Sequence, residues 1–295
     1  MSIGWAFGLW AVELLVIAAL AASRRGARTG IWIAIAFLPL PAFVAEPWWP
    51  AVALLELGLL FAMFRAADLA SDRTIATFPR RLAHLVSLLD KRRMVRVPRH
   101  FDWRALLRIA LGVGITLAAL TIVAMAERFD GWRHYALRWY LGGAPLPFSI
   151  FEALDGLIAF VLAGFGRSFP KVNRAPWMAT SLSDFWSRRW NSIVNTLLRD
   201  HVLRRVAHRG AVTAMTAAFV ASAALHAYLV GMLLGPLATL AWTVFFLAQP
   251  VAMWIERRLR VRRWRPARGR AWTLGALLAL YPLFIEPVLV LFARL

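Results

Sequence analysis

Residues 211–231, AVTAMTAAFVASAALHAYLVG, run for 21 residues with no Asp, Glu, Lys or Arg and a single histidine, His226. A helix of about 20 apolar residues spans the roughly 30 Å hydrocarbon core of a bilayer. Comparable runs recur along the chain, at about 3–22, 31–45, 48–68, 105–126, 148–166, 236–255 and 272–292. The second is short and interrupted by Pro39 and Pro41. Composition agrees. The 295 residues are 61% hydrophobic and 17% charged, against about 25% charged in a soluble domain. The expected fold class is all-α: a polytopic integral membrane protein of about eight transmembrane helices plus interfacial helices, in one domain over 1–295. Only Met1 and Ser2 precede the first run, so a charged signal-peptide n-region is missing and a cleavable leader is not expected. With no cysteine, disulfides, thiolate catalysis and zinc–thiolate sites are excluded.

The net charge of +20 first suggests nucleic acid. Its placement points elsewhere. Thirty of the 35 basic residues fall in alternate loops: Arg24 to Arg28, 65–104, 167–209 and 257–270. The loops at 46–47 and 232–235 have none. By the positive-inside rule the basic loops are cytoplasmic and both termini lie on the outer side. No aromatic stacking module accompanies the basic runs, so no nucleic-acid partner is expected. Oligomeric state is not readable.

Two amphipathic stretches are expected at the interfaces. In 78–89, Leu82, Leu85, Val86 and Leu89 lie opposite Arg81 and His84, a pattern for a cytoplasmic surface helix. Residues 132–141, WRHYALRWYL, suit the outer surface, with Trp and Tyr at headgroup level. Gly4/Gly8 and Gly231/Gly235 are spaced for close helix approach.

The 167–209 segment is too long for a plain connection. Ser181 or Ser183 can cap a helix reaching about Leu198, with Asp184 in its first turn. Asp184, Arg188, Asn191 and Asn195 then form one polar stripe beside Trp186 and Trp190. An Asp184–Arg188 pair one turn apart is the bland reading of the same residues.

Ionisable side chains inside spans are costly and therefore functional candidates. Glu13, Glu56, His226 and Glu286 qualify. His226 lies on the order of 22 Å along its helix, with Ser222 one turn earlier, and Glu286 lies at a similar depth beside Pro287. Histidine suits general-base work, because its unperturbed pKa is about 6.5. Its plain alternative is a packing histidine bonded to a neighbouring helix. Glu13 and Glu56 are expected to partner polar groups on neighbouring helices. His84, His100, His134, His201 and His208 are expected to face solvent or headgroups. No G-x-S-x-G elbow, Walker loop or H-E-x-x-H is present, and no metal site or cofactor is expected.

SLSDFWSRRWN at 181–191, preceded by Pro176 and followed by LLRDHVLRRV at 197–206 and ALHAYL at 224–229, resembles the membrane-bound O-acyltransferase (MBOAT) superfamily. The likeness is closer to its wax synthase branch, where such a tryptophan- and arginine-rich segment precedes a buried histidine. It covers about residues 170–232. The resemblance implies acyl transfer from acyl-CoA, as co-substrate, to the hydroxyl of a lipophilic alcohol: a long-chain alcohol, sterol or diacylglycerol. It implies His226 and Asn191 as catalytic residues. Asp184, Trp186, Trp190, Ser222 and Glu286 are supporting candidates. Arg188, Arg189 and Lys171 are candidates for the CoA phosphates. Asn191 would either orient the imidazole or donate to the acyl oxygen, and the tryptophans would anchor the segment at the membrane interface.

Two rival readings stand beside this one. A short-chain O-acyltransferase acting on a polar metabolite or envelope glycan would keep the site and change the acceptor. A non-catalytic lipid transporter or scaffold would use His226 and Glu286 as a polar gate, but the paired broken helices of repeated halves are not seen.

Overall fold

The computed structural model describes residues 1–45, 48–72, 74–75 and 77–293. Helices dominate, and the only strands among the described residues are a pair of two-residue ones. Two compact units are distinguished, Met1–Arg92 with Leu225–Pro236, and Arg93–Ala224 with Leu237–Leu295.

The first unit begins with α1 (Ile3–Leu20) and α2 (Arg24–Phe37). Each starts at a serine whose Oγ accepts a backbone N–H three residues on, Ser2 from Trp5 and Ser23 from Gly26. Helix α2 stops before Pro39, and a 3₁₀ turn at Leu40–Phe43 follows, the interruption that Pro39 and Pro41 predict. Helix α3 (Trp49–Ser71) and α4 (Phe78–Leu85) complete this part. Alanines 18, 27, 34, 62 and 66 are buried together with Leu14, Ile17, Leu69 and Leu85. Such small side chains bring helix backbones close.

Helix α4 departs from expectation. Leu85 is buried as its apolar face predicts, but His84 and Arg81 on the other face are buried too, and Val86 is exposed. The cause is Asp68 on α3, whose Oδ2 lies 3.2 Å from His84 Nε2 and 3.0 Å from Arg65 Nη1. Arg65 also donates to the carbonyls of Ser87 and Leu88. A buried charge needs such partners, and α3 places them where amphipathic patterning alone would put water. Glu13 and Glu56 also differ from expectation. Both are buried, and none of their four carboxylate oxygens has a hydrogen-bond partner.

In the second unit β1 (Val95–Arg96) pairs antiparallel with β2 (Arg167–Ser168), Val95 opposite Ser168. Between them run α5 (Trp103–Ala126), α6 (Gly131–Tyr135) and α7 (Pro145–Gly164). The outer-surface helix expected at 132–141 is part of one apolar run, Gly131–Gly164, joined through a π-helical stretch at Ala136–Gly142. Helices α5 and α7 touch at Gly112 and Gly156. A Cβ at Gly112 would lie 2.7 Å from Ser149 O, and one at Gly156 would lie 2.8 Å from Ala105 O. The Gly4/Gly8 spacing marks no such approach, since a Cβ at Gly8 would meet nothing within 4 Å outside its own helix backbone.

Short helices α8 (Leu182–Asp184), α9 (Ser192–Leu198) and α10 (Arg204–Val206) precede α11 (Ala211–Leu234), α12 (Pro236–Arg258) and α13 (Pro266–Ala293). Residues 211–224 of α11 count with the second unit and 225–234 with the first. The molecule is an all-α polytopic membrane protein. Six stretches are long and apolar enough to cross a bilayer: α1, α5, Gly131–Gly164, α11, α12 and α13. The other two expected spans correspond to α2, only 14 residues long, and α3, which carries Glu56, Arg65 and Asp68. The loop at 46–47 lies outside the described residues.

Candidate functional site

The segment 172–199 is a turn of backbone locked from three sides. At its base Asp155, buried on α7, accepts the N–H groups of Val172 (2.7 Å) and Asn173 (3.2 Å). Asn173 is thereby fixed, and its Oδ1 accepts the N–H of Asn191 at 2.7 Å. The backbone closes the arrangement: Arg174 N donates to Arg189 O and Ser192 N to Val172 O, both at 2.8 Å. Ser192 Oγ adds a bond to Lys171 O. From the third side, Glu256 on α12 receives the N–H groups of Leu182 and Ser183. A carboxylate at a helix N-terminus meets unpaired donors and the positive end of the dipole.

The single helix expected from Ser181 to Leu198 is two helices. Ser181 caps the first, as expected, its Oγ accepting Asp184 N at 3.0 Å. Residues Phe185–Arg189 then form a π-turn, Trp190 is extended, and Asn191 takes a left-handed conformation, φ 39°. That conformation is uncommon outside glycine, and asparagine is among the residues that tolerate it best. Asn191 also caps α9, its Oδ1 accepting Val194 N at 3.2 Å. The π-turn shifts the ion pair by one residue. Asp184 binds Arg189 Nε at 2.6 Å rather than Arg188. Arg189 further donates to Arg174 O and Ala175 O, whereas Arg188 is exposed. Asn195 Nδ2 donates to Trp186 O.

The tryptophans pack inward, contrary to an interface anchor. Trp186 donates its indole N–H to Gln249 Oε1 at 3.0 Å and meets Phe219, Phe245 and Phe246 edge-on or tilted. Trp190 stacks on Phe185 at 5.6 Å and meets Phe148 and Phe151. Indole and phenyl rings filling one core are worth about 0.5–1.5 kcal/mol per pair beyond area burial.

His226 is half-buried on the stretch of α11 that counts with the first unit. Two residues on, Tyr228 donates its hydroxyl to Leu38 O at 2.9 Å. Ser222, on the part of α11 in the second unit, is buried. Glu286 takes its hydrogen-bond partners from the Ala136–Gly142 stretch. Arg138 grips it through Nε (3.0 Å) and Nη2 (2.9 Å), and Trp139 donates to it at 2.7 Å. Glu286 therefore fastens α13 to the Ala136–Gly142 stretch.

A cavity of about 450 Å³ opens beside the turn, lined by Arg93, Arg174, Arg188, Arg189 and Arg199 with Asp184, Asn195 and Thr196. Five guanidinium groups against one carboxylate make it an anion site. Arg93 is set in place by Thr196, to whose Oγ1 it donates at 2.8 Å. Lys171 is exposed and does not line this cavity. Arg93, Arg174 and Arg199 were not singled out by the sequence. Asp155 and Gln249 were also missed, although a polar residue in an apolar run is itself the signal for both.

The model of the Membrane bound O-acyl transferase family matches residues 169–248. Two curated relatives are the Arabidopsis thaliana proteins named "Probable long-chain-alcohol O-fatty-acyltransferase 2", 31% identical over 139 residues, and "Probable long-chain-alcohol O-fatty-acyltransferase 3", 33% identical over 147 residues. These alignments cover 42% and 44% of this chain and 40% and 43% of the relatives, so the chain spans about two fifths of the length of the curated relatives it matches. The matched segment holds the locked turn, Asn191 and His226, and over it the chain is similar to the membrane bound O-acyl transferase family and to these long-chain-alcohol relatives.

Proposed function

We propose that the protein is a membrane O-acyltransferase that moves an acyl group from acyl-CoA to the hydroxyl of a lipophilic alcohol. One observation carries the reading: the matched segment contains both a histidine within an apolar span and an asparagine held in a strained, fully braced turn. Strain of this kind costs on the order of 1–3 kcal/mol and collects at functional positions.

In this reading His226 removes the proton of the alcohol as its oxygen attacks the thioester carbonyl. The carbon–sulfur bond then breaks, and the proton passes to the departing thiolate of CoA. Asn191 acts as a donor. Its Oδ1 is engaged by Val194 N, and its backbone N–H by Asn173, which leaves the Nδ2 hydrogens. A donor aimed at the base nitrogen of His226 would occupy the lone pair that must accept the alcohol proton. A donor aimed at the acyl oxygen stabilises the charge that develops there. The arginine-lined cavity suits the phosphates of CoA, with Arg93, Arg174, Arg188 and Arg199 as its contacts and Arg189 braced by Asp184. Lys171 is left outside that set. The donor and the acceptor alcohol are proposed partners.

The test is ester formation by purified protein given labelled acyl-CoAs and a panel of alcohols. His226→Ala is expected to lower turnover by about 10²–10⁴-fold, the usual worth of a general base, with little change in melting temperature. Near-wild-type turnover in that variant would make His226 a packing residue and the mechanism wrong.

A further inference from the structure

We propose that the turn Arg257–Arg263 is a binding site for the phosphate of an anionic phospholipid, and that an occupied site steadies the 181–189 segment through Arg262. The turn follows α12 directly. Arg260 there has φ 53°, a left-handed conformation that costs a non-glycine residue roughly 1–2 kcal/mol. This bend, followed by the 3₁₀ turn Val261–Arg263, brings Arg257, Arg260, Arg262 and Arg263 to one cavity of about 240 Å³. Glu256 is the acidic residue of its lining, and its carboxylate is engaged by the Leu182 and Ser183 N–H groups. The cavity therefore offers several guanidinium groups and no free counter-charge, the chemistry that binds a phosphate.

The surface beside it selects the source of that phosphate. Val251 and Ile255 on α12 and Leu259 just past its end recur every four residues and are exposed, as is Trp254. Arg258 lies over the Trp254 ring at 5.0 Å. An apolar stripe leading to an arginine turn fits a molecule with acyl chains and an anionic head, and does not fit a small soluble phosphate. Coupling to the neighbouring segment is direct. Arg262 donates to Ser183 Oγ at 2.6 Å, and Ser183 N bonds Glu256, so one turn of backbone touches both the cavity and the start of 181–189.

The experiment measures lipid binding to the detergent-purified protein by native mass spectrometry, with phosphatidylglycerol against phosphatidylcholine of identical chains. Phosphatidylglycerol is expected to bind about tenfold or more tightly, from about 1 kcal/mol per basic residue at an anionic surface. Arg257→Gln with Arg263→Gln is expected to remove that preference. Arg265→Gln with Arg268→Gln, which takes the same charge from the same loop outside the cavity, is expected to keep it. Should the first pair not purify, the two single variants carry the test, each expected to lose about threefold of the preference. Equal losses in the two pairs would reduce the site to net charge and overturn the proposal. So would glycerol phosphate displacing the lipid at equal concentration. Hydrogen exchange tests the coupling: phosphatidylglycerol is expected to slow exchange of the 181–189 amides in the wild type but not in Arg262→Gln. Unchanged exchange in the wild type would overturn that half.

Discussion

Asn191 holds a backbone conformation, caps a helix and, in the proposed reaction, donates a hydrogen bond. Three substitutions separate these roles. Asn191→Gly keeps the left-handed backbone without strain and loses a cap worth only a few tenths of a kcal/mol against glycine. It is expected to melt near the wild type yet lose most ester formation. Asn191→Asp keeps a cap acceptor but has no Nδ2 hydrogens, so it is expected to be stable and slow as well. Asn191→Ala loses cap and backbone tolerance together and is expected to be both slow and destabilised by roughly 1–3 kcal/mol. Calorimetry alongside initial rates checks the series, and full activity in Asn191→Gly would remove the side chain from the chemistry. His226 was legible in the sequence because a lone histidine in an apolar run needs a reason. Asn191 was legible only through a family likeness, since no pattern of residue types announces a left-handed turn. His84 was misread as surface-facing because its partner Asp68 is sixteen residues away, beyond the reach of any helical periodicity.

At the scale of the element, the spacing rule that pairs residues i and i+4 presupposes an α-helix. The π-turn at Phe185–Arg189 inserts a residue, so Asp184 meets Arg189 and Arg188 turns outward. Arg189→Ala is accordingly expected to destabilise the protein by roughly 1.5–3 kcal/mol, the range for hydrogen bonds to charged groups. Arg188→Ala is expected to leave the melting temperature within a degree or two of wild type; equal losses would show that the α-helical pairing holds in solution. The α4 region carries a pH dependence. Thr74 N–H and hydroxyl, then Arg92, hold Asp72 below the usual carboxylate range. Burial pushes Asp90 up, but Arg92's hydrogen bonds and charge outweigh it, so Asp90 also lies low. For a carboxylate lowered on folding, the stabilisation is complete above the unfolded pKa, about 3.9, and is lost as pH falls through the folded one. Residues 86–93 are thus expected to hold firm at pH 5–7 and loosen below about pH 4. Arg92→Gln is expected to lower the melting temperature at pH 6 and to have a smaller effect at pH 3. Limited proteolysis at 86–93 across that window checks it, and equal sensitivity of the two proteins at pH 6 would sink the idea.

Over the whole molecule, the apolar runs of the sequence mark all the long helices, because a span must satisfy every backbone group within itself. What the runs do not disclose is which helices are lined by protein: α3 holds Arg65 and Asp68 buried, and α7 holds Asp155 buried. The sequence groups the basic residues in alternate loops, but only folding sorts their arginines into bracing and lining roles. Arg189 and Arg92 are engaged by carboxylates, whereas Arg188 and Lys171 are exposed. This sorting decides how the proposed donor is recruited. Neutralising Arg174, Arg188 and Arg199 together is expected to raise KM for acyl-CoA several-fold and leave KM for the alcohol unchanged. Guanidinium–phosphate attraction at an open cavity is screened over about 8–10 Å at 0.10–0.15 M salt. The wild type is therefore expected to lose kcat/KM as salt rises, and the triple variant to show a flatter dependence. Lys171→Gln, outside the cavity, is expected to behave as wild type in both measurements. If the charges serve only to orient the chain in the membrane, correctly inserted triple variant will keep the wild-type KM. Vesicles of known sidedness separate the two cases. With impermeant acyl-CoA supplied outside, inside-out vesicles are expected to be active and right-side-out vesicles silent. Activity confined to right-side-out vesicles would overturn both the cytoplasmic placement of the basic loops and the arginine-lined cavity as the mouth for CoA.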